Sequence, residues 1–467
     1  MSVAYPNNVK CLLLGGGARE HVIAETLCRS GAVELYALAH NYNPGIDQLS
    51  KEFDHHHSER DIDWIATWAI QRGIDFAVIG LEDPLDAGLP DALAHHGILT
   101  IGPTREAARL ETSKLFLRDL MRRYNIEGKV DYRYFDNADE LRDFLLHTNL
   151  QYALKPIGLT AGKGVKVMGV QLASSEEAAA YGRTVIEERV GGSAGILVEE
   201  RLIGEEFTLQ AFVDGQAVIP MPLVKDFKLA YDGDWGPNTG SMGSYSQADG
   251  LLPFVSRETR EVALRILKQI VTALNEEQIV YKGIMYGQFS MTKQGPKLIE
   301  INARFGDPEA VNVLPLLETN FVDICRAIIA GTLTEVDLRF SSKATVCKYV
   351  TPPNYPDKPV VGEPLRLDRK AIEKLRVRIY YAKVDRGADE ETVLTTTSRS
   401  LALVGLGDSV AEAEARVERA ITDHIQGHFH SRHDIGKGVC ELAQTQTATS
   451  VGKCSSSHSV PTFTQAI

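Results

Sequence analysis

Two segments of this chain concentrate residue types that handle phosphate and metal chemistry. The first, Gly158-Leu159-Thr160-Ala161-Gly162-Lys163-Gly164, is a flexible basic loop. Its glycines permit sharp turns and a close approach of backbone N–H groups to anionic oxygens, and Lys163 adds a charge. It lacks the Walker spacing, because Gly164 follows the lysine where a Ser or Thr would be needed for Mg²⁺. A loop folding over a triphosphate is one reading; an ordinary mobile hairpin is the other. The second segment is Glu300-Ile301-Asn302-Ala303-Arg304-Phe305-Gly306-Asp307-Pro308-Glu309. Glu300 and Asn302 lie two residues apart in a strand expected over Lys297 to Ala303, so strand periodicity turns both side chains to one face. One carboxylate and one amide oxygen suit Mg²⁺ held partly by nucleotide phosphates. Edge-strand solvation also accounts for such a pair, but not for the polar run that follows it. In that run Arg304, Asp307 and Glu309 are placed to position further reactants. Together the two segments point to an enzyme that spends ATP to join two small molecules.

Other charged residues gain meaning only beside these. Lys155 ends a strand just before Pro156 and is placed to meet an α- or β-phosphate, while Lys114 offers a second charge from the preceding helix. Either lysine alone reads as a solvated side chain. Val198-Glu199-Glu200-Arg201-Leu202 suits a connector beside adenine, with backbone groups on the base edge and Glu206 near ribose hydroxyls; a solvent-facing turn is the alternative. Gly15-Gly16-Gly17-Ala18-Arg19-Glu20-His21 follows the first strand and can hold an anion on backbone N–H groups. It is not the dinucleotide fingerprint, since Glu20 occupies the third glycine position and no acid ends the second strand. Arg19 suits a sugar phosphate, or else a surface ion pair.

These residues need a scaffold, and its rhythm is visible. Lys10 to Leu14, Glu34 to Ala39, Phe76 to Ile79 and Ile98 to Ile101 read as buried strands, alternating with helices near 19–29, 61–72 and 85–96. That is the pattern of an open parallel α/β sheet. A charged helix is expected over 105–123 and another over Asp136 to Leu146. Then come the strand Tyr152 to Lys155, a strand Val165 to Val170, a helix over 175–190 and the strand Ile196 to Glu199. Phe207 to Val213 and Ala217 to Pro220 form an expected hairpin around Asp214-Gly215. The expected units are 1–104, 105–332 with a lid inserted at about 124–195, 333–437, and a flexible tail over 438–467 rich in Gln, Thr and Ser.

Bulk properties narrow the class. A chain of 467 residues buries several cores, and a formal net charge of −12 argues against general nucleic-acid binding. The cysteines at 11, 28, 325, 347, 440 and 454 show no close ligand pairs, which fits a reduced intracellular protein. Neither a signal peptide nor a membrane-spanning stretch is expected, so the expected location is the cytoplasm.

From Lys10 to Gly436 the chain resembles the phosphoribosylamine–glycine ligase family of the ATP-grasp superfamily. The resemblance rests on an ordered set: Gly17 to His21, Gly102-Pro103-Thr104, Glu111 to Lys114, Lys155 with Gly158 to Gly164, Gly236-Pro237-Asn238-Thr239-Gly240, Arg304 to Glu309, and Asp434-Ile435-Gly436. It implies an N-terminal open parallel α/β domain, an ATP-grasp body with an inserted lid, and a C-terminal α+β domain. It further implies that ATP, glycine and 5-phosphoribosylamine yield ADP, phosphate and glycinamide ribonucleotide, with Mg²⁺ or Mn²⁺ as cofactor. The implied metal ligands are Glu300 and Asn302. Lys114, Lys155, Gly162, Lys163, Gly164, Glu199, Glu200, Leu202 and Glu206 are implied at the nucleotide. Asp226, Lys228, Arg304 and Asp307 are implied in catalysis, and Arg19, Glu20, Asn238, Thr239, Gly240, Asp307, Pro308 and Glu309 around substrate. The family pattern permits a monomer.

Several positions depart from the family pattern. Ala18 replaces a glycine, Phe227 a histidine, Ser241 a second glycine, and Thr397-Ser398 a Gly-Gly pair before Arg399. A ligase with another small acid or amine, or a noncatalytic purine-nucleotide sensor, are the competing functions. Asp54-His55-His56-His57 reads as an exposed polar turn rather than a metal site, and His428, His430 and His433 as surface or substrate-neighbourhood residues.

Overall fold

The computed structural model describes residues 9–31, 33–148, 151–160, 164–192 and 194–439. Gly162, Lys163 and the tail from 440 onward lie outside the described residues.

The N-terminal sheet is parallel, in the order β3-β2-β1-β4-β5. Its strands are β1 (Val9–Leu14), β2 (Val33–Leu38), β3 (Glu52–Asp54), β4 (Phe76–Ile79) and β5 (Leu99–Ile101). The strand β1 is central and almost wholly buried, which is why its sequence is a continuous apolar run after Lys10. Helices α1 (Ala18–Cys28), α2 (Pro44–Leu49), α3 (Ile62–Arg72), α4 (Glu82–Ala87) and α5 (Leu89–His95) connect the strands. The expected helix over 85–96 is divided, because Gly88 turns at φ +87°. β3 was not anticipated; three half-buried edge residues carry too little pattern.

The helix expected over 105–123 is also divided. Ser113 is extended between α6 (Arg109–Thr112) and α7 (Lys114–Arg123), and its hydroxyl caps α7 by accepting from Phe116 N. The break makes Lys114 the first residue of α7.

A second sheet, β6-β9-β7-β8, joins β6 (Tyr132–Phe135), β7 (Tyr152–Pro156), β8 (Lys166–Val167) and β9 (Ile196–Glu200). It is accompanied by α8 (Ala138–His147) and α9 (Ser175–Glu187), capped by Asn137 and Ser174. The strand expected over Val165 to Val170 contracts to β8, since Gly169 turns at φ +79°.

The central body begins with β10 (Glu205–Asp214) and β11 (Val218–Pro220), the expected hairpin. Its turn is held by the Asp214 carboxylate, which accepts from Gln216 N and Ala217 N at 3.0 and 2.7 Å. The chain then makes an excursion through β12 (Lys225–Asp226), the hairpin β13 (Leu229–Tyr231) and β14 (Trp235–Asn238), and β15 (Gly243–Ser246). Helix α10 (Arg257–Glu276) brings it back to β16 (Lys282–Thr292) and β17 (Gly295–Asn302), completing an antiparallel sheet in the order β11-β10-β16-β17. Ala263, Ile266, Leu267, Ile270 and Leu274 form the buried stripe of α10, in one core with Phe207, Leu209, Phe289 and Leu298 of the sheet.

Helices α11 (Glu309–Val313) and α12 (Phe321–Ala330) lead to the C-terminal strands. These are β18 (Ala344–Val350), β19 (Pro364–Leu367), β20 (Val377–Tyr381), β21 (Val384–Arg386), β22 (Thr392–Thr395), β23 (Leu401–Gly407) and β24 (Ile425–Gln426), with α13 (Arg369–Lys374) and α14 (Val410–His424). One sheet, β12-β15-β18-β23-β20, joins the central excursion to C-terminal strands, and β21-β22-β19-β24 forms another. Among the described residues no helix is long and apolar enough to cross a membrane.

Candidate functional site

The floor of the site is the polar face of the central sheet. Register places Thr208 opposite Gln288, Gln210 opposite Tyr286, and both Tyr286 and Gln288 opposite Asn302 and Glu300 in turn. Between Gln288 and Phe289 the pairing shifts: Gln288 faces Glu300 while Phe289 faces Leu298. Ile299 is the extra residue of this bulge. Strict alternation from the buried Leu298 would have pointed Glu300 into the core, and the bulge turns Glu300 and Asn302 to the polar face instead.

One side of the site is built from α7, β7 and β9. Glu199 is buried and receives Arg118 Nε and Nη2 at 2.7 and 3.0 Å and Lys155 Nζ at 2.7 Å. Burial alone would raise the Glu199 carboxyl, but Arg118 and Lys155 hold it down at about 2. Its side chain is therefore part of a buried ion cluster and not of a solvent-facing turn. Lys114 Nζ donates to the Gly158 carbonyl at 2.9 Å. Burial lowers the Lys114 ammonium below its ordinary range, Glu300 opposes that pull and Lys155 adds to it. Glu200 accepts from Asp131 N at 3.0 Å and from Lys297, and Leu202 follows in the link to β10. At the mouth of the glycine loop, a Cβ on Gly158 would lie 1.9 Å from the Gly191 carbonyl oxygen, so only glycine fits this approach. Tyr181 Oη donates to the Gly164 carbonyl at 2.6 Å.

The opposite side gathers acids around a third lysine. Glu206 accepts from Gln288 Nε2 at 2.5 Å and pairs with Lys228 Nζ at 3.3 Å. Enclosure disfavours the Lys228 charge, yet Glu206, Asp226 and Glu300 raise its pKa overall. Burial raises the Asp226 and Glu309 carboxyls, and each is pushed further by neighbouring negative charge. Tyr286 Oη donates to Glu309 at 3.1 Å. Thr239 donates through both N and Oγ1 to the Lys228 carbonyl at 2.8 Å, and Asn238 pairs with Leu229 at the base of the hairpin.

The run after β17 is tied to all parts of the chain. Arg304 bonds Glu82 at 3.2 Å, Glu111 at 3.0 Å and the Phe305 carbonyl at 3.2 Å. Burial pushes Glu111 up to about 7 despite Arg304, whereas Arg304 and Arg19 overcome burial at Glu82 and hold it at about 2. Arg19 donates to Glu20 at 2.6 Å and to the Phe305 carbonyl at 3.2 Å; the other Glu20 oxygen caps its own loop by accepting from Gly17 N at 2.7 Å. Arg19 is thus buried in an ion pair rather than displayed on the surface. Asp307 accepts from Arg399 Nη2 at 2.9 Å and from the Tyr349 hydroxyl, while Arg399 Nη1 donates to the Gly240 and Ser241 carbonyls. Pro308 begins the turn into α11, whose first residue is Glu309.

Arg118, Tyr286, Gln288, Tyr349 and the role of Arg399 escaped the sequence reading. Gln288 and Tyr286 sit in a strand-like stretch where alternation alone could have marked them; Arg118 and Tyr349 gave no local signal.

The Glu300 and Asn302 side chains share one half-exposed face, and neither makes a side-chain hydrogen bond among the described residues. Two hard oxygen donors near Lys114 suit a hard divalent cation that completes its shell with other oxygens. No group of three His, Cys, Asp or Glu among the described residues is arranged to hold a metal. His57 instead stacks on Trp64 at 3.6 Å and bonds Asp54 at 3.1 Å.

The family models for phosphoribosylglycinamide synthetase match this chain in order. The N domain matches residues 9–111, the ATP-grasp (A) domain 112–310 and the C domain 345–438. The phosphoribosylamine–glycine ligase of Methanothermobacter thermautotrophicus is 45% identical over 428 residues, covering 92% of this chain and 96% of its own. That of Methanocaldococcus jannaschii is 46% identical over 433 residues, with coverage of 92% and 96%. A phosphoribosylamine–glycine ligase structure from Thermotoga maritima superposes with a TM-score of 0.75 at 24% identity, over 91% of this chain and 100% of that one, which shows a common fold. The architecture is an N-terminal domain, a central ATP-grasp domain and a C-terminal α+β domain, and the chain belongs to the phosphoribosylamine–glycine ligase family.

Proposed function

We propose that this chain joins glycine to 5-phosphoribosylamine at the expense of ATP, giving glycinamide ribonucleotide, ADP and phosphate through glycyl phosphate. We also propose the division 1–104, 105–332 with a lid at about 124–195, and 333–437. The observation that carries the functional reading is the convergence of Lys114, Lys155 and Lys228 on a polar sheet face that also bears Glu300 and Asn302.

Lys114 and Lys155 receive the nucleotide phosphates, and the backbone from Glu199 to Leu202 takes the adenine edge. The Gly158–Gly164 loop, with Gly162 and Lys163, covers the triphosphate. Glu300 and Asn302 would hold Mg²⁺ or Mn²⁺, which when bound offsets the charge on the transferring phosphoryl group. The glycine carboxylate attacks the γ-phosphorus and expels ADP; the amine of phosphoribosylamine then attacks the acyl carbon, expels phosphate and gives up a proton to solvent. Lys228, oriented by Glu206, stabilises the oxyanions formed, and Asp307, fixed by Tyr349 and Arg399, orients the amine. Arg304 and Glu309 shape the acceptor side, and Arg19 with Glu20 shapes the outer loop. Catalysis is positioning and electrostatics, without an enzyme nucleophile.

The test is ADP release with Mg²⁺-ATP, glycine and freshly generated phosphoribosylamine, leaving out each substrate in turn and weighing the product. Release that requires both co-substrates and yields glycinamide ribonucleotide upholds the reading. Nucleotide binding without such release overturns it.

A further inference from the structure

The hairpin β13–β14 leaves the body between Lys228 and Asn238, and the segment from His430 to Asp434 grips it from the C-terminal side. Arg432 is wholly buried there. Its Nε and Nη2 donate to the two Asp434 oxygens at 2.9 and 2.6 Å; its Nη1 donates to the Leu229 carbonyl at 3.0 Å and to Asp234 at 2.6 Å. The guanidinium also stands 5.0 Å from the centre of the Phe227 ring. Its contacts therefore fall on the residues immediately before and after Lys228. Around it, Asp434 accepts from Gly233 N at 2.9 Å, Asp232 accepts from His433 N at 2.8 Å, and His430 Nε2 donates to the Ala230 carbonyl at 2.8 Å.

A buried guanidinium is costly to desolvate, and only a fixed, planar set of acceptors offsets that cost. Here the set includes a main-chain carbonyl one residue from the lysine. On the far side, Thr239 closes the hairpin onto the Lys228 carbonyl. We infer that Arg432 is a positioning residue for Lys228: by fixing the backbone on both sides, it sets where the ammonium meets Glu206 and the incoming substrate. The inference rests on the substrate role proposed above for Lys228. It makes the C-terminal segment part of the acceptor machinery, although none of its side chains need touch substrate.

Arg432→Met in the full chain is expected to lower kcat/KM for the amine substrate by about 100-fold, the scale of an ångström-sized misplacement. Nucleotide affinity should hold, because Lys114 and Lys155 lie on other elements. In a cycle with Lys228→Met, the Arg432→Met change should add nothing further; additive losses, or parallel loss of nucleotide binding, overturn the inference. Asp232→Ala, at the exposed hairpin tip, loosens the same grip without stranding a buried charge, and should show the same non-additivity at smaller amplitude. Hydrogen exchange over 229–239 reads the grip without turnover: faster exchange in both variants supports it, and unchanged exchange overturns it. If the wild type makes no glycinamide ribonucleotide, the proposed function fails while exchange still decides the grip.

Discussion

Arg399 donates to Asp307 at 2.9 Å and, with its other terminal nitrogen, to the Ser241 carbonyl at 3.0 Å, so one guanidinium joins the run after β17 to the segment that follows the β13–β14 hairpin. Both partners are largely shielded from solvent. Breaking such a pair from one side strands a charge, at roughly 3–5 kcal/mol. Arg399→Met should therefore reduce kcat/KM for the amine by about 100-fold or more while sparing nucleotide affinity. Arg399→Lys should recover little, since an ammonium cannot span both acceptors in the same plane. Initial rates over a range of amine concentration, set beside nucleotide titrations, check this; equal losses in both would contradict it.

Glu300 bears on two things at once: the proposed ion and the Lys114 ammonium whose charge it favours. Loss even of groups behind a metal ligand commonly costs about 10–100-fold in metal affinity, so Glu300→Ala should raise the Mg²⁺ concentration for half-maximal ADP release by at least about 100-fold. Asn302→Asp should shift the same midpoint downward by adding charge to the donor pair. A Glu300→Ala enzyme with unaltered Mg²⁺ dependence would remove the metal assignment.

That assignment shows how far local patterning reaches. Alternation correctly puts Glu300 and Asn302 on one face, but it does not reveal that face as polar. The sequence Leu298-Ile299-Glu300-Ile301 conceals a bulge, and only pairing with β16 exposes it. The strands of the N-terminal sheet were legible because burial on both sides writes a continuous apolar run. The stripe of α10 recurs at helical spacing and is legible in the same way. Long-range partners left no mark of any kind. Arg118 and Glu199 are 81 residues apart, and Asp307 and Arg399 are 92 apart. Their pairing follows from how the domains are laid against one another, and local sequence carries no record of that.

Ser241 sits where the family commonly has glycine, and its backbone keeps the glycine conformation at φ +81°. Its hydroxyl donates to the Gly243 carbonyl at 3.0 Å and lies 3.4 Å from Phe227 N. Strain and hydrogen bonding thus oppose each other at one residue. Ser241→Ala keeps the strain and forfeits the hydroxyl, whereas Ser241→Gly forfeits the hydroxyl and relieves the strain. The glycine variant should be the more stable of the two by about 1 kcal/mol or more. Urea unfolding of both variants settles the order, and an alanine variant as stable as the glycine one would mean that the strain is negligible.

His21 gives the fold an acid-sensitive contact between helix α1 and the C-terminal strand β20. Its Nδ1 accepts from Tyr381 N at 2.9 Å, so the folded ring is neutral and carries its proton on Nε2. Burial lowers its pKa to about 3. In the unfolded chain the ring titrates near its ordinary value, about 6.5. Between those limits the unfolded chain binds a proton that the folded one refuses, so stability is lost as pH falls, by about 2 kcal/mol at pH 5. Glu111 runs the other way. Its folded pKa is raised to about 7, so the folded state holds a proton that the unfolded state releases, and that contribution is lost as pH rises toward 7. His21→Leu should lower stability at neutral pH by about 1–3 kcal/mol, because the Tyr381 amide loses its acceptor. It should also gain relative to wild type on acidification, narrowing the difference between pH 7 and pH 5. Glu111→Gln should tilt the same profile in the opposite sense. Urea midpoints at the two pH values measure both tilts, and parallel profiles for His21→Leu and wild type would show that the buried ring does not govern the acid side.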